Sequence, residues 1–218
     1  MNIYIEIRIF EFAQNQLNFM NIPILLILFR LILAPIIFVL AYFGGEDAKP
    51  AIISMMYVGL ISDILDGIIA RKTNTSSAKL RRMDSQTDMV FWFSLGLSTW
   101  ILYPKLISDN SVVIWTILIM EIACYVISLL KFKKESAHHN FLSKFWGVTL
   151  LVAFTSLIGF NHAGFPFQLA IFFGLISHID RILITLILPK WTHDIPSTYH
   201  AILIRQGKPI KRNILLNG

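Results

Sequence analysis

From residue 22 onward the chain is a succession of continuous apolar runs separated by short polar breaks, at 22–43, 50–70, 85–103, 112–130, 145–160 and 167–188. A membrane span needs about 17–25 residues, which the fifth run just misses and the others meet. The runs are continuous rather than alternating, and in lipid a lone segment satisfies its own backbone only as a helix. The pattern therefore predicts an all-α integral membrane protein with six transmembrane helices. Pro23 suits a first helical turn and Pro35 a kink within the first span. Pro104, Pro166 and Pro189 fall at span boundaries, as do Gly44, Gly45 and Gly164. Ahead of the first run, Ile5, Ile7 and Ile9 alternate with Glu6 and Arg8, a period of two with no partner strand in view. This opening lacks the basic start of a signal peptide, and Met20 offers a natural alternative start for the first helix. The expected organisation is a surface segment at 1–21, a membrane domain at 22–188 and a basic tail at 189–218.

Composition strengthens the membrane reading. The chain is 56% hydrophobic and 15% charged, with a mean hydropathy of +0.66. Soluble domains carry about 25% charged residues. A single cysteine, Cys124, excludes an intrachain disulfide and a thiolate metal cluster. The net charge of +6 is explained by orientation and not by nucleic acid. Arg71, Lys72, Lys79, Arg81 and Arg82 separate spans two and three, and Lys131, Lys133, Lys134 and Lys144 separate spans four and five. Lys190, Arg205, Lys208, Lys211 and Arg212 follow the last span, whereas the opposite loops hold only Lys49 and Lys105. The positive-inside rule then places both termini and the basic loops in the cytoplasm.

Against this background four carboxylates stand out: Asp63, Asp66, Asp84 and Asp88, at or near the ends of the second and third runs. Charge in such a place is costly and reads first as functional. At roughly 100° per residue, Asp66, Gly67 and Ala70 lie at about −60°, +40° and −20° from Asp63, so one face carries two acids and two tiny residues. Asp84 and Asp88, four apart, share a face of the next helix. Four carboxylates brought to one hairpin repel one another unless cations or protons neutralise them. An all-carboxylate set favours hard cations such as Mg²⁺ or Mn²⁺, and two such ions about 3.5–4 Å apart are a common clamp on phosphoryl oxygens. Arg71 is suited to pairing bidentately with a phosphate, and Gly67 and Ala70 leave room for a nucleotide. The plainer alternative is that these acids cap helices and pair with Arg71, Arg81 or Arg82. It explains neither the spacing nor the small residues.

The full pattern is Asp63-x-x-Asp66-Gly67-x-x-Ala70-Arg71, twelve residues, then Asp84-x-x-x-Asp88. It resembles the signature of the CDP-alcohol phosphotransferase family (CDP-alcohol phosphatidyltransferases), integral-membrane enzymes of phospholipid synthesis. One fixed position departs: the family's second glycine is Leu80 here. The opening NIPILLILFRLILAP is similar to the first helix of the family's phosphatidylglycerophosphate synthases. The resemblance implies transfer of a phosphatidyl group from CDP-diacylglycerol to an alcohol, with release of CMP, at a site facing the cytoplasm. It implies two Mg²⁺ or Mn²⁺ ions held by Asp63, Asp66, Asp84 and Asp88, with Asp88 also at the position of the proposed base. Asp66, Gly67, Ala70 and Arg71 would meet the CDP group. Family members are often homodimers, and that expectation carries over.

The acceptor is expected to be glycerol 3-phosphate, from the first-helix resemblance and the basic loops. Inositol phosphate, serine or another alcohol are the alternatives. Arg81, Arg82, Lys144 and Arg30 are candidates for an acceptor phosphate, competing with plain orientation and lipid-headgroup roles. Arg30 and Arg181 lie within apolar spans and are each expected to pair inside the bundle, Arg181 by snorkelling or by meeting Asp180, with a phosphate role as the alternative. Glu121 and His178 have no role that spacing reveals. His138, His139, His193 and His200 read as interfacial, and Trp146, Trp191 and Tyr199 as interface anchors. Two rival readings are a divalent-cation transporter, which would need acids spread through the membrane depth, and a non-catalytic lipid-binding relative, toward which Leu80 points.

Overall fold

The computed structural model describes residues 3–73, 75–134, 140–192 and 195–209; of residues 3–21 and Ala78 it describes the backbone alone. Helix α1 runs from Ile3–Gly44 and passes through a short 3-10 turn, Gly45–Ala48, into α2, Lys49–Lys72. There follow α3 (Ala78–Leu102), the short α4 (Pro104–Asp109), α5 (Ser111–Phe132), α6 (Phe141–Phe160), α7 (Phe165–Ile187) and α8 (Thr198–Arg205). Every apolar run of the sequence lies within one long helix, give or take a terminal residue. Two boundaries differ from expectation. Pro23 stands inside α1 and not at its start, because the alternating segment before it is helical and continues the same rod. With no neighbouring strand, only a helix pairs that backbone internally. The side chains of the proposed surface segment 1–21 lie outside the described residues. Helix α6 begins four residues earlier than its hydropathy suggests. Asn140 caps it, its Oδ1 accepting from Ser143 N–H at 3.0 Å, so Lys144 falls inside the helix and the element reaches 20 residues.

Among the described residues, four stretches are long and apolar enough to cross a membrane: Ile22–Lys72, which holds most of α1 together with α2, then Ser111–Phe132, Phe141–Phe160 and Phe165–Ile187. Helix α3 is not one of them. Ser85, Gln86, Thr87, Asp88, Ser94, Ser98 and Thr99 dilute its apolar character. Four of those polar groups turn inward: Thr87, Ser94, Ser98 and Thr99 are all buried. Ser94 Oγ donates to the Ala34 carbonyl of α1 at 2.5 Å, and Thr99 Oγ1 to its own helix at Leu95 O. Small polar residues at a helix contact let backbones approach closely, the usual device within membrane bundles. The outside is correspondingly apolar, with Leu25, Ile32, Phe43, Val112, Trp115 and Phe160 exposed. Apolar surface outside and polar groups inside is the pattern of a protein whose solvent is lipid.

Two groups of helices make the bundle. In the first, α1 packs along both α2 and α3; in the second, α7 packs on α5, α6 and α8; α6 joins them through α2 and α3. The core of the first group is formed by Leu33, Ala34, Ile37, Ile52, Met56, Phe91, Leu95 and Ile158. Its tightest point is Gly59, where a Cβ would fall 2.3 Å from Cζ of Phe91. That contact brings α2 and α3 together beside the acids. At the corresponding end of the second group, Asp180 ties three elements. Its Oδ2 accepts from Asn140 Nδ2 (2.7 Å), while Oδ1 accepts from Thr198 N–H (3.0 Å) and Thr198 Oγ1 (2.6 Å) at the start of α8. Lys131 Nζ donates to the terminal α7 carbonyls of Thr185 (3.0 Å) and Leu186 (2.6 Å).

Candidate active site

Asp66 lies six residues before the end of α2 and Asp84 six residues after the start of α3. At 1.5 Å per residue both sit about 9 Å from the hairpin end, at one depth. The fold then adds a group from a third helix. The Arg30 guanidinium, on α1, inserts between all four acids: Nη1 lies 3.1 Å from Asp63 Oδ1 and 3.1 Å from Asp66 Oδ2, Nη2 lies 2.6 Å from Asp84 Oδ1, and Nε lies 3.0 Å from Asp88 Oδ1. Two of these contacts have hydrogen-bond geometry, one to α2 through Asp66 and one to α3 through Asp84. The other two are close ion pairs. Arg30 itself is 1% exposed. A buried charge of this kind persists only when it is paired and hydrogen-bonded, and the acids supply both.

The four carboxylates are not equivalent. The Asp66 and Asp84 side chains are 4% and 10% exposed, whereas Asp63 and Asp88 are 30% and 27% exposed. One acid of each helix is therefore internal and one is open to an incoming molecule. Asp63, Asp66 and Asp84 each offer an oxygen within 4.8 Å of the others, close enough for one cation to bridge them. The donors are all carboxylate oxygen, which suits Mg²⁺ or Mn²⁺, and Arg30 offsets only one of four negative charges. The residues present thus fit divalent cations.

Around this centre the remaining predicted residues divide. Arg71 is half-buried and its guanidinium covers Gly67, where a Cβ would stand 3.3 Å from Nη1; the room expected there for a nucleotide is bordered by the arginine's flexible end. Ala70 is buried. Arg81 is buried too, one turn before Asp84 and so on its face. Arg82 and Lys144 are exposed, on different helices. Leu80, the departure from the motif, sits in the first turn of α3, its N–H donating to Oγ of the cap residue Ser77 at 3.2 Å. Among the described residues, positive φ occurs only at Gly45, Lys133, Asn161 and Gly207. A leucine is therefore accommodated at position 80 without backbone strain.

A second buried charge cluster went unrecognised in the sequence. Arg181 does not pair with Asp180, which is engaged by Asn140 and Thr198. Instead it meets Glu121 of α5 through two bonds, Nη1 to Oε2 at 2.8 Å and Nη2 to Oε1 at 3.2 Å. His178 Nε2 lies 2.7 Å from the same Oε2, and its Nδ1 2.5 Å from the Gly174 carbonyl. Trp146, expected as an interface anchor, packs edge-on against the His178 ring at 4.8 Å and so faces α7. The available signal was an acid and a base at matching depth in separate apolar helices, each of which needs a partner. Of the expected interfacial groups, Tyr199 is exposed, Trp191 lies under Lys134 Nζ at 5.1 Å, and His200 pairs with Ser197 Oγ. His138, His139 and His193 lie outside the described residues.

The fold and the site together define a helical membrane protein with a polyacidic, cation-seeking centre enclosed by its first three helices. Its family follows from comparison. The family model described as CDP-alcohol phosphatidyltransferase matches residues 20–188, and the chain belongs to that family. A curated relative from Aquifex aeolicus (strain VF5), named CDP-diacylglycerol–glycerol-3-phosphate 3-phosphatidyltransferase, is 39% identical over 79 residues. That match covers 36% of this chain and 43% of the relative, so the chain spans less than half the length of the relative it matches. No solved structure matches the chain.

Proposed function

We propose that the protein transfers a phosphatidyl group from CDP-diacylglycerol to an alcohol, with glycerol 3-phosphate as the first acceptor, releasing CMP. The observation that carries this reading is the convergence of all four motif acids, two from α2 and two from α3, on one point beside Arg30. Family membership supports the reaction class, and the name of the Aquifex relative supports the acceptor.

Asp63, Asp66, Asp84 and Asp88 would hold two divalent cations, Mg²⁺ or Mn²⁺, which when bound neutralise charge on a diphosphate and template its displacement. Everything else is the work of the chain. Arg71 and Gly67 border the CDP group, the guanidinium pairing with phosphate oxygen. Asp88, one of the two accessible acids, accepts the acceptor hydroxyl proton as its oxygen forms the new bond to the lipid-side phosphorus. The bond from that phosphorus to the CMP oxygen breaks, and CMP leaves with the electron pair. Arg81, Arg82 and Lys144 form the basic approach for a phosphorylated acceptor.

The membrane arrangement belongs to the same reading. Six membrane helices follow from the apolar runs, and both termini in the cytoplasm with the site on that side follow from the loop charges. A homodimer is the expected assembly. The test uses purified chain in detergent or nanodiscs with CDP-diacylglycerol, Mg²⁺ or Mn²⁺, and separately glycerol 3-phosphate, inositol phosphate and serine. Metal-dependent CMP release with glycerol 3-phosphate is the expected result, and turnover with another alcohol reassigns the acceptor. Asp88→Asn and Asp63→Asn are each expected to lower CMP release at least a thousandfold; full activity in either removes the mechanism.

A further inference from the structure

Arg30 is placed where divalent cations would be held, and its charge has the same sign as theirs. It is among the largest fully buried side chains of the protein, although it stands in the middle of an apolar helix. What it does is join helices: one nitrogen bonds to Asp66 on α2, another to Asp84 on α3, and the whole group is carried by α1. The residues it joins are 36 and 54 positions away. Without a cation between them, Asp66 and Asp84 would be two buried carboxylates in direct repulsion. With it, the acids are assembled by the fold itself. The same guanidinium raises the local potential at every oxygen of the cluster, so it opposes any divalent ion that binds there. Assembly and cation affinity are therefore set against each other by one residue.

We propose that Arg30 is the internal counter-cation of the metal site: a positioning residue that pre-assembles the four carboxylates and, through its charge, holds divalent-cation affinity below what the acids alone would give. The proposal rests on the metal-dependent reading above. A site of four acids without an internal cation would bind its ions tightly before any substrate arrives. With Arg30 in place, the bare site binds them loosely, and a bound diphosphate, bringing its own negative charge, tightens them. Cation binding thereby becomes linked to the anionic nucleotide–lipid substrate, and Arg30 remains beside it as a fixed positive neighbour. By linkage, the substrate's affinity and the cation's affinity rise together.

The test compares wild type, Arg30→Gln and Arg30→Lys as full chains in nanodiscs, without substrate. Mn²⁺ binding is measured by electron paramagnetic resonance, and melting is followed in chelator and in Mn²⁺. Arg30→Gln removes the charge: it is expected to bind Mn²⁺ at least tenfold more tightly, to melt lower in chelator, and to regain that loss in Mn²⁺. Arg30→Lys keeps the charge but not the two-helix reach: it is expected to hold Mn²⁺ within about threefold of wild type while also melting lower in chelator. Adding a CDP-lipid should tighten Mn²⁺ on wild type more than on Arg30→Gln. Unchanged or weaker Mn²⁺ binding by Arg30→Gln overturns the proposal, as does its failure to be rescued by Mn²⁺, since a purely structural arginine would give either result. Absence of Mn²⁺ binding by wild type both without and with the CDP-lipid overturns the metal-dependent reading itself, which keeps the two failures distinct.

Discussion

The protein holds two buried ionic clusters built from the same residue types to opposite ends. Between α1, α2 and α3, four acids share Arg30. Between α5 and α7, one acid, Glu121, is matched by one arginine through two bonds, with His178 completing its coordination. The second cluster matches one acid to one guanidinium, with only Arg181 Nε left buried and unbonded. It joins two helices. The first is left with more acid than base even if Arg71 and Arg81 at its rim are counted, four carboxylates to three guanidiniums. An excess of that kind must be neutralised by cations or protons, whereas a matched pair is a structural joint. The transporter reading is disfavoured on the same ground: the acids form one cluster at one end of two helices and not a path through the depth.

The contrast is broken most severely by unpairing the balanced cluster. Glu121→Gln leaves Arg181 buried without its counter-ion, and the expected cost is roughly 3 kcal/mol, the low end for breaking a buried pair because Glu121 retains some exposure. Thermal melting in detergent should show the loss. The double variant Glu121→Gln, Arg181→Met should recover most of it, since an apolar replacement leaves no orphaned charge. A cycle in which the double variant melts no higher than Glu121→Gln would make this cluster more than a joint.

A smaller effect comes from crowding the helix contact beside each cluster. At Gly59 a Cβ would fall 2.3 Å from the Phe91 ring, while at Gly174 it would fall 2.8 Å from Trp146 Nε1 and 2.9 Å from Ile117 Cδ1. Either alanine is expected to cost about 1–3 kcal/mol as overpacking. The two should differ in function. Gly59→Ala separates α2 from α3 and should lower CMP release by more than its melting shift explains, whereas Gly174→Ala should track stability alone. Equal losses of activity per degree of melting would erase the functional distinction between the two regions.

The smallest effect is expected at the motif's departure. Leu80→Gly restores the family residue at a helical, unstrained position, so it should cost up to about 1 kcal/mol in helix propensity and leave CMP release within about twofold. A large gain in activity would show that Leu80 restrains the site, which its backbone gives no reason to expect.

Much of the site was written in local spacing. Asp63 and Asp66 three apart, Asp84 and Asp88 four apart, and a short break between their helices suffice to put four acids at one hairpin, because helical periodicity and a tight connection leave no other arrangement. The six long helices were legible as apolar runs as well, although α3 is too polar to count among the described stretches that can cross a membrane. Helix starts were less legible: hydropathy puts Lys144 at the start of its helix, whereas the Asn140 cap shows that the helix begins at Phe141. The polar side of α3 was legible as composition but not as direction, since Ser94 meets the Ala34 carbonyl of α1, a contact its own sequence does not announce.

What the sequence determined by itself is the set of acids, their faces and the membrane in which they lie, since periodicity and hydropathy act over a few residues. Which cation meets the acids was left to tertiary structure. Position pointed to Arg71, Arg81 or Arg82 as partners of the acids; that Arg30 meets them depends on how α1 packs against α2 and α3, across 36 residues to Asp66 and 54 to Asp84. The pairing of Glu121 with Arg181, 60 residues apart, and the diversion of Asp180 to cap α8 were decided in the same way. A charge buried in an apolar helix must be paired, and sequence alone establishes that need. Which partner answers it is fixed by the packing of helices that are distant in sequence, where several candidates satisfy the local rules.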